Sequence, residues 1–282
     1  MKPARRVCLL LLAALVTVPP AHAQKPWAQL PPTPALPKLE RSGTMPINGI
    51  RVWYAVFGHG SPVIMLHGGL ANSNYWGLQV AALAPHFQVI VMDSRGHGRS
   101  TWDGGPVSYH LMAADVLALM DALHIPKAAL VGWSDGAIIG LDIAIHHPER
   151  LTGLFAFAAN SNTAGAKSSE GSAVFDVYKK RTREEYEKLS PAPAAFEAFH
   201  AQLIKMWLSE PDFSDAQLRG IKVPTWIVDG DHDEIIKRED TDRMARLIPG
   251  ARELILPGAS HFAFLQDPKQ FNESLLSFLS DK

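Results

Sequence analysis

Cysteine is almost absent: Cys8 is the only one in 282 residues. Beyond it the chain holds no thiol, which excludes a disulfide framework, a cysteine nucleophile and a zinc site built on thiolates. Charge of one sign is missing too. The formal net charge is −1, with 20% charged residues and no long block of like sign. That balance gives no electrostatic footprint for nucleic acid or an anionic membrane surface. The one conspicuous apolar run, Val7 to Val18, falls short of the roughly 20 residues a membrane span needs, and no later segment approaches that length. H-E-x-x-H is absent, and no group of histidines and carboxylates shows metal-ligand spacing along the chain, so no metal is expected. The glycine spacings of dinucleotide and phosphate loops are missing as well.

What is present begins with a processing signal. Lys2, Arg5 and Arg6 precede the apolar run, and Ala21-His22-Ala23 supplies the small residues of an A-x-A cleavage site. Residues 1–23 therefore read as a secretory signal peptide, and the mature protein as periplasmic or secreted. Residues 24–42 read as a linker, in which Pro26, Pro31, Pro32, Pro34 and Pro37 favour an extended chain. The folded domain is expected to start near Gly43.

From there short apolar runs alternate with amphipathic segments. Arg51 to Phe57 shows the alternation of a half-buried strand. The runs Val63–Leu66, Val89–Met92, Ala128–Val131, Leu154–Phe157, Thr225–Val228 and Glu253–Leu256 are continuously apolar or end in turn residues, as strands of a parallel sheet buried on both faces do. Helical spacing marks Ser108–Leu123, Ala137–His147, Glu239–Ile248 and Pro268–Leu279. Strand and helix in alternation predict an α/β domain with a doubly wound, mostly parallel sheet over 43–159 and 220–282. Residues 160–219 break the pattern. They offer two helices, Phe175–Leu189 and one with an apolar stripe of Phe196, Phe199, Leu203 and Met206. An insertion leaving a strand's carboxyl end predicts a helical lid over the ligand-binding edge of the sheet.

The chemistry centres on Gly132-Trp133-Ser134-Asp135-Gly136, a G-x-S-x-G pentapeptide between a predicted strand and a predicted helix. A serine hydroxyl becomes a useful nucleophile only when exposed and deprotonated by a neighbour, and a sharp strand-to-helix turn exposes it. Ser134 is the candidate nucleophile. His67-Gly68-Gly69 follows an earlier strand; the Gly69 and Asp135 backbone N–H groups are the candidate oxyanion donors. His261 combines a loop after a strand with a place downstream of both the elbow and the acid, and is the candidate base among 12 histidines. Asp229, Asp231 and Asp233 cluster after another strand. Loop position favours Asp233 as the acid that orients His261, with Asp231 as runner-up. His67 braces its own turn, while Asp93 and Arg95 hold neighbouring turns by hydrogen bonds. Leu70, Trp133, Phe262 and the apolar stripe of the insertion are candidates to line a substrate pocket. The Asp135 side chain either faces the substrate, where it would favour an ammonium, or turns away and caps the following helix.

The run HGG, DSRGHGRS, GWSDG, GDHD and GASHF, in that order, resembles the α/β-hydrolase superfamily from about Ile47 to the end. GWSDGAIIGLDIAIHHPERL is similar to its valacyclovir-hydrolase and biphenyl-hydrolase-like branch. The resemblance implies an eight-stranded sheet, a helical lid, no cofactor and a Ser134–Asp233–His261 triad. It implies a hydrolase of small-molecule esters; that branch also contains carbon–carbon bond hydrolases, which would use the same residues. Ser134 at the elbow argues against an epoxide hydrolase or dehalogenase, which needs a carboxylate there. A non-catalytic binding protein on the same fold is the remaining class.

Overall fold

The computed structural model describes residues 25–39 and 41–281; the expected signal peptide lies outside them. Eight strands, β1 (Arg41–Ile47), β2 (Ile50–Phe57), β3 (Pro62–Leu66), β4 (Gln88–Met92), β5 (Ala128–Trp133), β6 (Leu151–Phe157), β7 (Thr225–Gly230) and β8 (Arg252–Leu256), form one sheet in the order β1-β2-β4-β3-β5-β6-β7-β8. β2 runs antiparallel to β1 and β4, and every other neighbouring pair is parallel. Among the described residues nine α-helices accompany it: α1 (Gly77–Leu83), α2 (Tyr109–Ala122), α3 (Asp135–His146), α4 (Ala173–Leu189), α5 (Phe196–Trp207), α6 (Asp215–Gly220), α7 (Arg238–Leu247), α8 (Ala263–Gln266) and α9 (Pro268–Ser280).

The sheet divides the interior into two cores. On β5, Ala128 and Leu130 point to one core, with Val116 and Leu119 of α2, Ile138 and Leu141 of α3 and Met244 of α7. Ala129, Val131 and Trp133 point to the other, with Val80 of α1 and Phe271, Leu275 and Phe278 of α9. Both faces of β5 are buried throughout, which is why a continuous apolar run signalled it. β2 departs from its predicted half-burial. Val52 and Val56 enter one core while Trp53, Ala55 and Phe57 enter the other, because aromatic and small residues fill the face that alternation alone assigned to solvent.

α2 starts where Ser108 accepts a hydrogen bond from the Leu111 N–H at 3.1 Å, satisfying an N–H left over in the first turn. The segment between β6 and β7 holds α4, α5 and the short α6. Apart from a short 3-10 turn at Pro26–Ala28, residues 25–39 form no helix or strand, but they are not a free linker. Arg181 of α4 donates to the carbonyls of Leu30 at 3.0 Å and Pro31 at 2.5 Å, and Thr33 donates to Glu185 at 2.6 Å. Trp27 stacks on His232 with ring centroids 4.0 Å apart. The segment is a strap across the body of the domain.

The loop after β4 is fixed by buried ions, in the role expected of Asp93 and Arg95. Asp93 accepts from the Ser73 N–H and hydroxyl and from the Arg99 N–H and guanidinium, at 2.6–3.0 Å. Arg95, 1% exposed, grips Asp115 of α2 with two bonds of 2.8 and 2.9 Å. Removing one member strands a buried charge, so Arg95→Met should cost about 3–5 kcal/mol. Urea unfolding measures this, and a loss below about 1 kcal/mol, the range of an exposed pair, would contradict it.

Candidate active site

The turn from β5 into α3 is made at a single residue. Ser134 has φ 54° and ψ −121°, a left-handed conformation that non-glycine residues rarely adopt. Its N–H donates to the Phe157 carbonyl of β6 at 2.9 Å, and its carbonyl accepts from the Ala137 N–H at 2.8 Å. The reversal brings α3 hard against the end of β3. A Cβ at Gly136 would collide with the Leu66 carbonyl oxygen, so the second glycine of the pentapeptide is required by contact between backbones.

Ser134 and His261 line the same cavity, of about 430 Å³, a volume suited to a small molecule. His261 follows β8 and is 1% exposed. Its Nδ1 lies 2.8 Å from Asp233 Oδ2, while Asp233 Oδ1 accepts from the N–H groups of Ile235 at 2.6 Å and Ile236 at 2.7 Å. Both carboxylate oxygens are thus spoken for, one by backbone and one by the imidazole. Asp231 instead accepts from the Ala259 N–H at 3.1 Å. Asp229 accepts from Gly230 N–H at 2.8 Å and the Thr241 hydroxyl at 2.9 Å. Of the three acids, only Asp233 bonds the His261 ring. The His261 backbone N–H donates to Glu234 at 3.1 Å, a further support that the sequence did not suggest. Among the described residues no direct hydrogen bond joins Ser134 to His261; such bonds commonly tighten only with substrate in place.

Burial lowers the affinity of the His261 ring for a proton, but Asp233, with Glu234 and Asp135, outweighs it and holds the pKa above the ordinary 6.5. Burial pushes Asp229 far above the usual carboxylate range, with the Asp233 charge adding to it. Burial alone would raise Asp233 too; the His261 charge and hydrogen bond overcome it, leaving its pKa lowered.

Gly69 and Asp135 both line the cavity, and neither of their backbone N–H groups donates to another backbone group among the described residues. The Gly69 carbonyl is turned away and accepts from the Tyr178 hydroxyl at 2.5 Å. His67 braces this turn, with Nδ1 2.8 Å from the Gly68 carbonyl and Nε2 accepting from the Ser94 N–H at 3.0 Å. The Asp135 side chain makes no cap. Its oxygens accept from the Tyr109 hydroxyl at 2.9 Å and the Trp207 indole at 3.0 and 3.1 Å. Burial raises its pKa to about 6 against the pull of those donors.

Two expectations about the surroundings need correction. Leu70 and Trp133 line the cavity, but Phe262 does not; it is fully buried, with its ring 5.7 Å from Trp133 and 5.0 Å from Tyr178. The chain turns at His261, and the next side chain is directed into the core. The stripe Phe196, Phe199, Leu203 and Met206 is likewise core. The neighbouring stripe on α5, His200, Ile204 and Trp207, faces the cavity instead, because the helix docks by its more apolar face. Away from the cavity, folding gathers His110, Asp142 and His146 from two helices. Tyr109, Tyr178, Lys167, Lys179 and Glu210 join the cavity wall without any local sequence signal.

Comparison with known proteins follows the same lines. The family model described as alpha/beta hydrolase fold matches residues 61–216, and the chain belongs to that family. It is 27% identical over 277 residues to the human serine hydrolase BPHL, covering 91% of this chain and 94% of that protein. It is also 27% identical over 259 residues to a pimeloyl-[acyl-carrier protein] methyl ester esterase of Yersinia pestis, covering 81% and 97%. A meta-cleavage product hydrolase of Pseudomonas fluorescens superposes with a TM-score of 0.73 at 22% identity, covering 86% and 98%, a likeness of fold. The domain is a hydrolase-family fold with esterases among its relatives.

Since Phe262 is core, Phe262→Ala should destabilise the protein by about 3–5 kcal/mol. Denaturant unfolding checks the loss. A stable variant with altered substrate preference would return the residue to the pocket.

Proposed function

We propose that the protein is a serine hydrolase that cleaves a carboxylic ester, or a related acyl bond, of a small molecule through an acyl-enzyme. The observation that carries this is one cavity lined by both Ser134 and His261, with Asp233 2.8 Å behind the imidazole. His261 takes the Ser134 proton as Oγ attacks the carbonyl, and returns it to the leaving alcohol. Water, deprotonated by the same ring, then releases the acyl group. Asp233 holds the Nδ1–H tautomer, so that Nε2 carries the lone pair, and stabilises the imidazolium that forms. The free N–H groups of Gly69 and Asp135 stabilise the oxyanion; one such donor is worth roughly 100- to 1000-fold in rate.

α4 and α5 act as a lid that keeps water from the site. The Asp135 carboxylate, reaching the cavity beside the nucleophile, favours substrates with an ammonium near the scissile carbonyl. Residues 1–23 supply export, so the substrate is met in the periplasm or outside the cell. A second reading is carbon–carbon hydrolysis of a vinylogous ketone acid. It is favoured by two cations on the cavity wall: Lys167, whose Nζ donates to the Asp233 carbonyl at 2.6 Å and has further donors to offer, and Lys179, which a substrate carboxylate would take over from its 2.9 Å pair with Asp176.

Ser134→Ala should lower turnover about a millionfold while circular dichroism stays unchanged. An ester panel with one vinylogous diketone acid provides the assay, and an unchanged rate on every substrate refutes the assignment. The base must be neutral to act, and its pKa is raised. The acid limb of kcat/KM, which reports the free enzyme, should therefore fall away as pH drops through a midpoint above 6.5. A midpoint at or below that value would remove His261 as the group being titrated.

A further inference from the structure

Away from the cavity, three metal-ligating side chains meet that the hydrolytic chemistry does not use. His110 stands in the first turn of α2, and Asp142 and His146 lie one turn apart on α3. Asp142 Oδ1 is 3.1 Å from His110 Nδ1 and 3.4 Å from His146 Nδ1, and ligand atoms of all three lie within 4.8 Å of one another. The two imidazoles stand edge to face, 5.2 Å between centroids. The Asp142 side chain is 6% exposed, those of His110 and His146 66% and 38%. The carboxylate is the floor of the cluster, and the imidazoles are its open rim.

Two physical points single this cluster out. Zinc bonds of about 2.0–2.2 Å at a tetrahedral angle place neighbouring donor atoms about 3.3 Å apart, and the two measured separations bracket that value. A buried carboxylate also calls for a positive partner. Among the described residues no lysine or arginine pairs with Asp142; its ion-pair partners are the two imidazoles alone. The geometry points to a binding site for one late first-row divalent cation, held by His110, Asp142 and His146 with water completing the shell. Two imidazoles and one carboxylate suit zinc, copper or nickel, whereas magnesium and calcium take oxygen shells. Binding needs only a tautomer shift, in which each Nδ1 proton moves to Nε2 and leaves a lone pair for the metal. His146 Nδ1 gives up its 3.0 Å contact with the Asp142 carbonyl in exchange. The ion would staple the first turn of α2 to α3. The residue before His110 is Tyr109, whose hydroxyl holds Asp135, so the staple sits one residue from the cavity wall.

Zinc titration of the untagged full chain by calorimetry tests this, with zinc chloride as the probe. Wild type should bind one equivalent. His110→Ala and His146→Ala, both at solvent-facing side chains, should each weaken binding by more than the roughly 10- to 100-fold that loss of a mere outer partner costs. The melting temperature of wild type should rise with free zinc, and that of the double variant should not. In electron paramagnetic resonance of the copper form, coupling to two nitrogens should fall to one in each single variant. No saturable binding in wild type, or an affinity unchanged in both variants, would overturn the site.

Discussion

A serine held in a left-handed backbone conformation is the constraint from which the rest of the structure follows. Such a residue costs on the order of 1–3 kcal/mol and persists only where its surroundings over-determine it. Here they do. β6 takes the Ser134 N–H, the first turn of α3 takes its carbonyl, and the bare Cα of Gly136 lets α3 touch the end of β3. One tight reversal therefore fixes three things together: a hydroxyl at the cavity, an unengaged N–H at Asp135, and an inward Trp133 on which the core beneath His261 is built.

The sheet converts that local turn into a site. β5 is registered against β3 and β6 so that Gly132 lies beside Leu66 and Ala156, and the loops carrying Gly69 and Ser134 leave from one edge. β7 and β8 continue the same parallel array and deliver Asp233 and His261 there. Buried ions at Asp93 and Arg95 stiffen the neighbouring loop after β4. Rigid strand ends present Ser134, Asp233 and His261, while helices from the segment between β6 and β7 supply much of the cavity wall.

The elbow, the order of strands and helices, and His261 were legible because each is written in contiguous residues: apolar runs, flanking glycines, a histidine after a strand. The choice among Asp229, Asp231 and Asp233 was only partly legible. Asp229 lies at the end of β7 and Asp231 and Asp233 in the loop just beyond it, and which carboxylate meets the ring depends on how that loop folds around the Ile235 and Ile236 N–H groups. The cavity wall was legible only beside the two turns, at Gly69, Leu70, Trp133 and Asp135. An amphipathic helix announces which residues it buries, and α5 buries its stripe as its spacing predicts. The residues beside that stripe reach the cavity only because of the angle at which the helix docks. Phe262 failed as a pocket residue for a similar reason: position next to His261 in the chain says nothing of the face on which its ring lies. His110 is more than thirty positions from His146, and only the crossing of α2 and α3 brings them together.

The strap formed by residues 25–39 ties distant parts of the site to one length of chain. It is bonded to α4 through Arg181 and Glu185, stacks on the residue preceding Asp233, and reaches Gln266, which in turn holds the Ser260 N–H. Since it is anchored to the finished surface at points from three regions of the sequence, it can take its place only after they have assembled. Anything pulling on the chain upstream of Lys25, such as a tether or a fused partner, would load α4 and the loops that carry Asp233 and His261 at once. The strap is thus a mechanical handle on the site.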